Sequence, residues 1–511
     1  MDITTTQGSI QEASANAILL MQCEGERRWG REAAAVDATL RRRLTGLHAS
    51  GEFTGQLNQV AILHVAPGEP LRAKRVVLVG LGKRATVSLD KLRQAAGTAA
   101  KAIRKLGAQS VAVPVQDLAD IMTGVPAAGR LRDIAQVLTE GTLLGLYRFT
   151  TYYTEHHDEF TKAIRAMTVV AGDSRAVAQV KDGISRGRII GEATTYVRDL
   201  CNHPANVVTP TYMAKEAKIV AKERGVRVTV LDRPAMKRLG MGALLGVAQG
   251  SHEPPKFVIL EYRGGPRRAR PVALVGKTVT FDSGGISLKP ADNMERMKAD
   301  MTGGAAVLAT VRAASRLRLP INLVAIIPAT ENMPGGRATK PGDIVTSLSG
   351  KTIEVINTDA EGRLILADGL TYVQRYKPEV VVDIATLTGA CSVALGTHAI
   401  GLLGNDEVLI GELKAAGEQC GERAWQLPLW EDYYEQIKSD VADVKNTGGR
   451  PGGTITAAAF LSKFVGDNTR WAHLDIASTD WGERERAYLP KGSTGIGARL
   501  LIQFLCNRAH A

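Results

Sequence analysis

Short apolar runs rich in β-branched residues alternate with amphipathic helical patterns along the whole chain, and this alternation confines it to an α/β fold. Residues 17–21 (AILLM), 75–79 (RVVLV), 111–115 (VAVPV) and 167–171 (MTVVA) are apolar on both faces. Runs of that kind belong in a sheet covered on both sides. Between them, residues 90–106 (DKLRQAAGTAAKAIRKL) carry apolar positions at helical spacing, with an acidic start and a basic end that suit the helix dipole. The pattern turns polar around 172–187, which predicts a smaller domain over residues 1–175 and a larger one over 176–511. In the larger part, residues 228–231, 257–260, 272–275, 323–327 and 380–384 read as strands, with no internal repeat.

At 511 residues the chain is too long for one ordinary core. Its 44% hydrophobic and 23% charged residues exclude disordered and collagen-like classes. No stretch approaches the roughly 18–20 apolar residues that span a bilayer, and the opening MDITTTQGSIQEA lacks a secretory pattern, so a cytoplasmic protein without a membrane partner is expected. Cys23, Cys201, Cys391, Cys420 and Cys506 are scattered without a CxxC pair, which predicts reduced thiols and no thiolate zinc site.

Several apparent motifs fail on spacing. Gly80-Leu-Gly82-Lys-Arg-Ala85 matches a dinucleotide fingerprint but has no acidic residue at ribose distance, so it reads as a plain turn. Gly276-Lys277-Thr278 resembles the end of a phosphate loop, but Pro271 stands where the leading glycine is required. There is no HExxH, and the nine histidines, the adjacent His156 and His157 among them, are read as structural, with His473 a core residue.

Two charged clusters remain, both embedded in Gly, Ser, Thr and Ala as a close-approach site requires. One runs from Lys277 through Asp282 and Lys289 to Asp300 after an apolar strand. The other is Asn357-Thr358-Asp359-Ala360-Glu361-Gly362-Arg363-Leu364. Crevices in α/β sheets lie beyond the carboxyl ends of strands. In an extended segment Asp359, Glu361 and Arg363 project to one side. Four carboxylates (Asp282, Asp300, Asp359, Glu361) converging in a partly dry pocket repel unless cations neutralise them, and two divalent ions match their charge. Oxygen-rich ligands without thiolate or imidazole favour Mn²⁺, Mg²⁺ or Zn²⁺.

These clusters resemble the leucyl aminopeptidase family (peptidase family M17). NTDAEGRL at 357–364 matches the family signature, and VGKTVTFDSGG, ISLKP, MKADM, DIATLTGA, GGTITAAAFL and WAHLDIA extend the likeness over roughly 199–505. Thr278-Val279 after the lysine and Thr302-Gly303 after Asp300 depart from the common pattern without touching a ligand position. The resemblance implies a two-domain α/β protein, with a macro-like amino-terminal domain serving assembly or access and a catalytic α/β/α domain with a central mixed sheet. It implies that Lys277, Asp282, Asp300 and Glu361 hold a tight metal ion, and Asp282, Asp359 and Glu361 an exchangeable one, both Mn²⁺ or Zn²⁺. A neutral Lys277 is then required, so its pKa has to fall. The resemblance further implies a metal-activated water as nucleophile, Lys289 as oxyanion stabiliser and a bicarbonate general base held by Arg363. Met297, Thr386, Leu387 and Gly389 are expected to line the pocket for an apolar first side chain such as leucine. Peptide substrates and a homohexamer follow from the same likeness.

A formal charge of +12, with clusters such as Arg41-Arg42-Arg43 and Arg267-Arg268 with Arg270, keeps DNA binding as an alternative or additional role. No DNA-binding motif accompanies these residues, and no GxSxG elbow supports a serine hydrolase.

Overall fold

The apolar runs form strands close to where their composition puts them. In the computed structural model, which describes residues 1–155 and 162–509, the chain divides into two compact units. One comprises Met1–Glu192 with Arg484–Pro490, the other Ala193–Glu483 with Lys491–Ala511. The polar stretch that suggested a boundary near 175 is the start of a long helix, Ser174–Asn202, and the units divide within that helix.

In the first unit six strands form one sheet in the order Asp2–Gln7, Ala166–Ala171, Ser110–Pro114, Ala17–Gln22, Arg75–Gly80, Val60–His64. All neighbours are parallel except the last pair. Ala17–Gln22 is buried at every position, as a strand covered on both faces must be. Helix Leu89–Lys105 packs Leu92, Ala95, Ala96, Ala99 and Ile103 into the core. Its start is fixed by Ser88, whose hydroxyl accepts from the Lys91 amide. The edge strand Asp2–Gln7 (DITTTQ) is too polar to be legible from hydrophobicity. Gly80 serves packing: a Cβ there would stand 1.9 Å from the Gln56 carbonyl oxygen.

The second unit is built on a nine-stranded mixed sheet. Val272–Gly276 and Val380–Ala385, buried throughout, lie side by side at its centre and run parallel. Val272–Gly276 is flanked on its other side by Asn322–Asn332, also parallel. Alternate residues Ala273, Val275, Val324, Ile326 and Val381 face helices Gly362–Val373 and Gly453–Ser462. Leu274, Ala325 and Val382 are equally buried, and helix Thr302–Arg316 packs on the same strands, giving α/β/α layering.

All five cysteines are buried thiols. His473 is a core residue: its Nδ1 lies 2.5 Å from Asp383 Oδ1, and its Nε2 has no hydrogen-bond partner among the described residues. His156, His157 and His510 lie outside the described residues. Among the described residues no helix is long and apolar enough to cross a membrane. The basic clusters are partly committed. Arg43 pairs with Glu69, and Arg270 donates to the carbonyls of Lys377 and Pro378.

Candidate active site

The site grows from an interruption in the central sheet. Val272–Gly276 stops at Lys277, and the chain resumes as Thr278–Asp282 farther along the same neighbour, Asn322–Asn332. The break is held by the Lys277 amide donating to Ile384 O (3.0 Å) and the Gly304 amide donating to Lys277 O (2.8 Å). Helix Thr302–Arg316 can begin this close only because Gly303 lacks a side chain: a Cβ would stand 2.2 Å from Ile384 O. Beyond Val279↔Thr330 the register jumps to Asp282↔Asn332, three residues against two, a β-bulge that re-aims Asp282. Asn332 Nδ2 then donates to Asp282 Oδ1 (2.8 Å) and to Thr358 O (3.0 Å), tying the two charged segments together.

The second segment is not extended. Asp359 sits in a turn whose amide is held by Asn357 Oδ1 (2.9 Å), and Glu361 immediately precedes helix Gly362–Val373. The expected single row of Asp359, Glu361 and Arg363 is therefore replaced by a turn and the first turn of a helix. Two of the three still converge. Oxygens of Asp282, Asp359 and Glu361 lie within 4.8 Å of one another. Asp300, at the end of the short helix Met294–Ala299, joins them through Lys277, whose Nζ is 2.8 Å from Asp300 Oδ1 and 2.9 Å from Glu361 Oε1. Lys277 Nζ also donates to Thr386 O at 2.9 Å, while Thr386 Oγ1 donates to Asp300 Oδ1 at 2.7 Å. Lys289 Nζ bridges Asp282 Oδ2 (2.9 Å) and Asp359. Gly362 makes room for Lys277: a Cβ there would stand 2.4 Å from Lys277 Cε.

Ten of the eleven residues singled out from sequence line one cleft of about 290 Å³: Lys277, Asp282, Lys289, Met297, Asp300, Asp359, Glu361, Thr386, Leu387 and Gly389. The exception is Arg363, which is buried beneath it. Its Nη1 donates to Asn446 O (2.8 Å), and its Nε has no partner among the described residues. Sequence reasoning missed Arg296, Thr388, Ser392, Ala477 and Asp480 on the cleft wall. It also missed Asn332, Asn446 and Asp475 behind it. Asn446 holds the Ile356 amide and Asn357 O, and Asp475 accepts from the amides of Leu387 and Thr388. These residues are brought in by pairing and turns rather than by a local motif.

Four carboxylates face two ammonium groups, leaving the cluster short of positive charge. Burial, reinforced by Glu361, pushes the Asp282 carboxyl up to about 6. Burial also raises Asp300 and Asp359 against the pull of their lysines. At Glu361 burial acts upward too, but Lys277 and Lys289 outweigh it and its pKa is lowered. Burial disfavours the Lys277 ammonium, yet Asp300, Glu361 and Asp282 raise its pKa overall, so with carboxylates alone around it the side chain is charged. A ligand role requires the opposite shift, which nearby divalent charge supplies. Burial lowers the Arg363 guanidinium to about 10.

The donor set fits divalent metal. Asp300 Oδ2 and Glu361 Oε2 are buried carboxylate oxygens without a hydrogen-bond partner among the described residues, an arrangement costly to leave unmatched. Hard oxygens clustered at this spacing are ligands for Mg²⁺, Mn²⁺ or Zn²⁺.

Comparison with known proteins agrees with the geometry. Residues 195–502 match the catalytic domain of the cytosol aminopeptidase family, and residues 23–156 match that family's N-terminal domain. A probable cytosol aminopeptidase of Geobacter sulfurreducens is 49% identical over 472 residues, 92% of each chain. Among solved structures, the bottromycin maturation enzyme BotP in complex with Mn is 36% identical with a TM-score of 0.83, covering 97% of this chain and 100% of that one. A mutant of tomato leucine aminopeptidase is 32% identical with a TM-score of 0.87, covering 99% and 96%. None of these matches points to DNA binding.

Proposed function

Because the chain belongs to the cytosol aminopeptidase family and is a metal-dependent aminopeptidase, we propose that it removes amino-terminal leucine and other apolar residues from peptides bound in the cleft above Asp282, Asp359 and Glu361. The observation that carries this reading is the convergence of those three carboxylates within 4.8 Å, beside the unmatched oxygens of Asp300 and Glu361. Lys277, Asp282, Asp300 and Glu361 would hold one divalent ion and Asp282, Asp359 and Glu361 the other, Mn²⁺ or Zn²⁺. Ions so bound supply the charge that polarises a scissile carbonyl and acidifies water.

The chain's own groups do the rest. Lys289 Nζ, already beside Asp282 and Asp359, is a cation at the rim of the carboxylate cluster and stabilises negative charge developing on the carbonyl oxygen. Arg363 is a buried planar cation with an Nε free to donate, a suitable partner for bicarbonate acting as general base. Met297 and Leu387 provide apolar surface for the first side chain, and Thr386 steadies both Lys277 and Asp300. The amino-terminal unit is assigned to assembly or access, in a homohexamer in the cytoplasm.

Hydrolysis of leucyl p-nitroanilide by Mn²⁺-loaded, Zn²⁺-loaded and chelated protein tests the reading. Activity is expected only with metal; full turnover after thorough chelation overturns it. Light scattering checks the hexamer.

A further inference from the structure

The cleft wall carries a carboxylate that the proposed chemistry does not use. Asp480 lies at the end of the turn that follows strand Arg470–Asp475, half-buried, and lines the same cleft as Met297, Leu387 and Ala477. Every other charged group of that wall has at least one ion-pair partner. Lys277 pairs with Asp300 and Glu361, Lys289 with Asp282 and Asp359, and Arg296 with Glu483. Asp480 has no ion-pair partner among the described residues. Its backbone is nonetheless rigidly set. The Asp480 amide donates to Ile476 O (3.0 Å), and its carbonyl accepts from the Thr494 amide (2.9 Å) and hydroxyl (3.1 Å). Ser392 Oγ holds the neighbouring Ala477 carbonyl at 3.2 Å. A partly desolvated carboxylate without an ion-pair partner is unfavourable, and burial pushes this one up to about 7 against the weaker pull of Lys277. A cation arriving with the substrate removes that penalty.

Lysine and arginine side chains suit the arrangement, because their aliphatic stems cover apolar surface while the charged head reaches a polar group. Met297 and Leu387 offer the apolar surface and Asp480 the acceptor. We propose that Asp480 is a specificity-determining residue that accepts the terminal cation of a lysine or arginine at the substrate's amino terminus, widening an otherwise apolar preference. This inference rests on the aminopeptidase reading.

The test compares lysyl and norleucyl p-nitroanilides, which share a four-carbon stem and differ in the terminal ammonium. In the wild-type, Mn²⁺-loaded protein, kcat/KM for the lysyl substrate is expected to equal or exceed that for the norleucyl one. Asp480→Asn is expected to lower the lysyl-to-norleucyl ratio by about 10- to 100-fold, the effect of one charge-assisted hydrogen bond, and Asp480→Glu to restore most of it. Wild-type discrimination of tenfold or more against the lysyl substrate overturns the proposal without any variant. An unchanged ratio in Asp480→Asn overturns it as well, including the case in which Asp480 meets the α-amine common to both substrates. Absence of hydrolysis of norleucyl and leucyl substrates alike would instead defeat the aminopeptidase reading, and this inference with it.

Discussion

Gly362→Ala tests the site without touching a charged residue. The added Cβ would stand 2.4 Å from Lys277 Cε, 2.6 Å from Cδ and 2.7 Å from Nζ, whereas ordinary contact begins at 3.4 Å. Lys277 therefore has to retreat by about 1 Å (3.4 − 2.4). The end of a lysine is normally free to do so. Here the side chain is 4% exposed, and its Nζ is held by Asp300 at 2.8 Å and by Glu361 and Thr386 O at 2.9 Å each. A shift of that size takes these bonds past hydrogen-bonding distance. Alanine is favoured over glycine within helices by about 1 kcal/mol, less at a first helical position, while overpacking a buried site costs about 1–3 kcal/mol. The net effect on stability is thus a loss of at most about 3 kcal/mol, and the main damage falls on the site. Misplacement of a site group by about 1 Å lowers rate on the order of 10²-fold. Leucyl p-nitroanilide kinetics should show a loss of that order in kcat/KM, and elemental analysis should find less than the full metal complement, with a melting temperature shifted by only a few degrees. A variant with full metal content and unchanged kcat/KM would refute the packing argument.

Three further outcomes are expected. Asp359→Ala and Glu361→Ala each remove a proposed metal ligand and should abolish leucyl p-nitroanilide hydrolysis, with reduced bound metal by elemental analysis; near-normal turnover in either would sink its assignment. Arg363→Ala should keep near-normal metal content while activity falls about 10²-fold and responds less to added bicarbonate; kinetics identical to wild type would remove Arg363 from the reaction. Asp368 accepts from the amides of Leu244 and Leu348, yet burial without a nearby cation pushes its carboxyl up to about 7. That is above the unfolded value near 3.9, so its contribution to stability is full below about pH 4 and is lost as pH rises through about 7. The melting-temperature gap between wild type and Asp368→Asn should therefore narrow between pH 5 and pH 8, and a gap independent of pH would contradict this.

What was legible from the sequence depended on whether the signal was local. Val272–Gly276 and Val380–Ala385 are buried on both faces, so their uninterrupted apolar character announces them. Asp2–Gln7 is an edge strand whose partner is far away in sequence, and its polar residues leave no trace of it. The same distinction separates the site residues. Asp282, Asp359 and Glu361 stand out because charge among small residues is unusual. Asn332 and Asn446 are single amides whose importance comes from pairing with Asp282 and with the 356–357 backbone. Asp480 enters the cleft through a turn tied to Thr494. Periodicity misled at 359–363, where an extended row was expected but a turn and a helix start occur, because helix Gly362–Val373 begins inside the motif.

The bulge between Val279 and Asp282 carries a constraint of counting. The strand takes three steps where its partner takes two, and that one extra residue decides which side of the sheet Asp282 addresses. Replacing Thr280 or Phe281 leaves that count intact, whereas loss of either turns Asp282 away from Glu361 and Lys289. Divergence in this stretch should proceed by replacement and almost never by a change of length, so that the spacing from Lys277 to Asp282 is inherited as a ruler even where the letters between them are not.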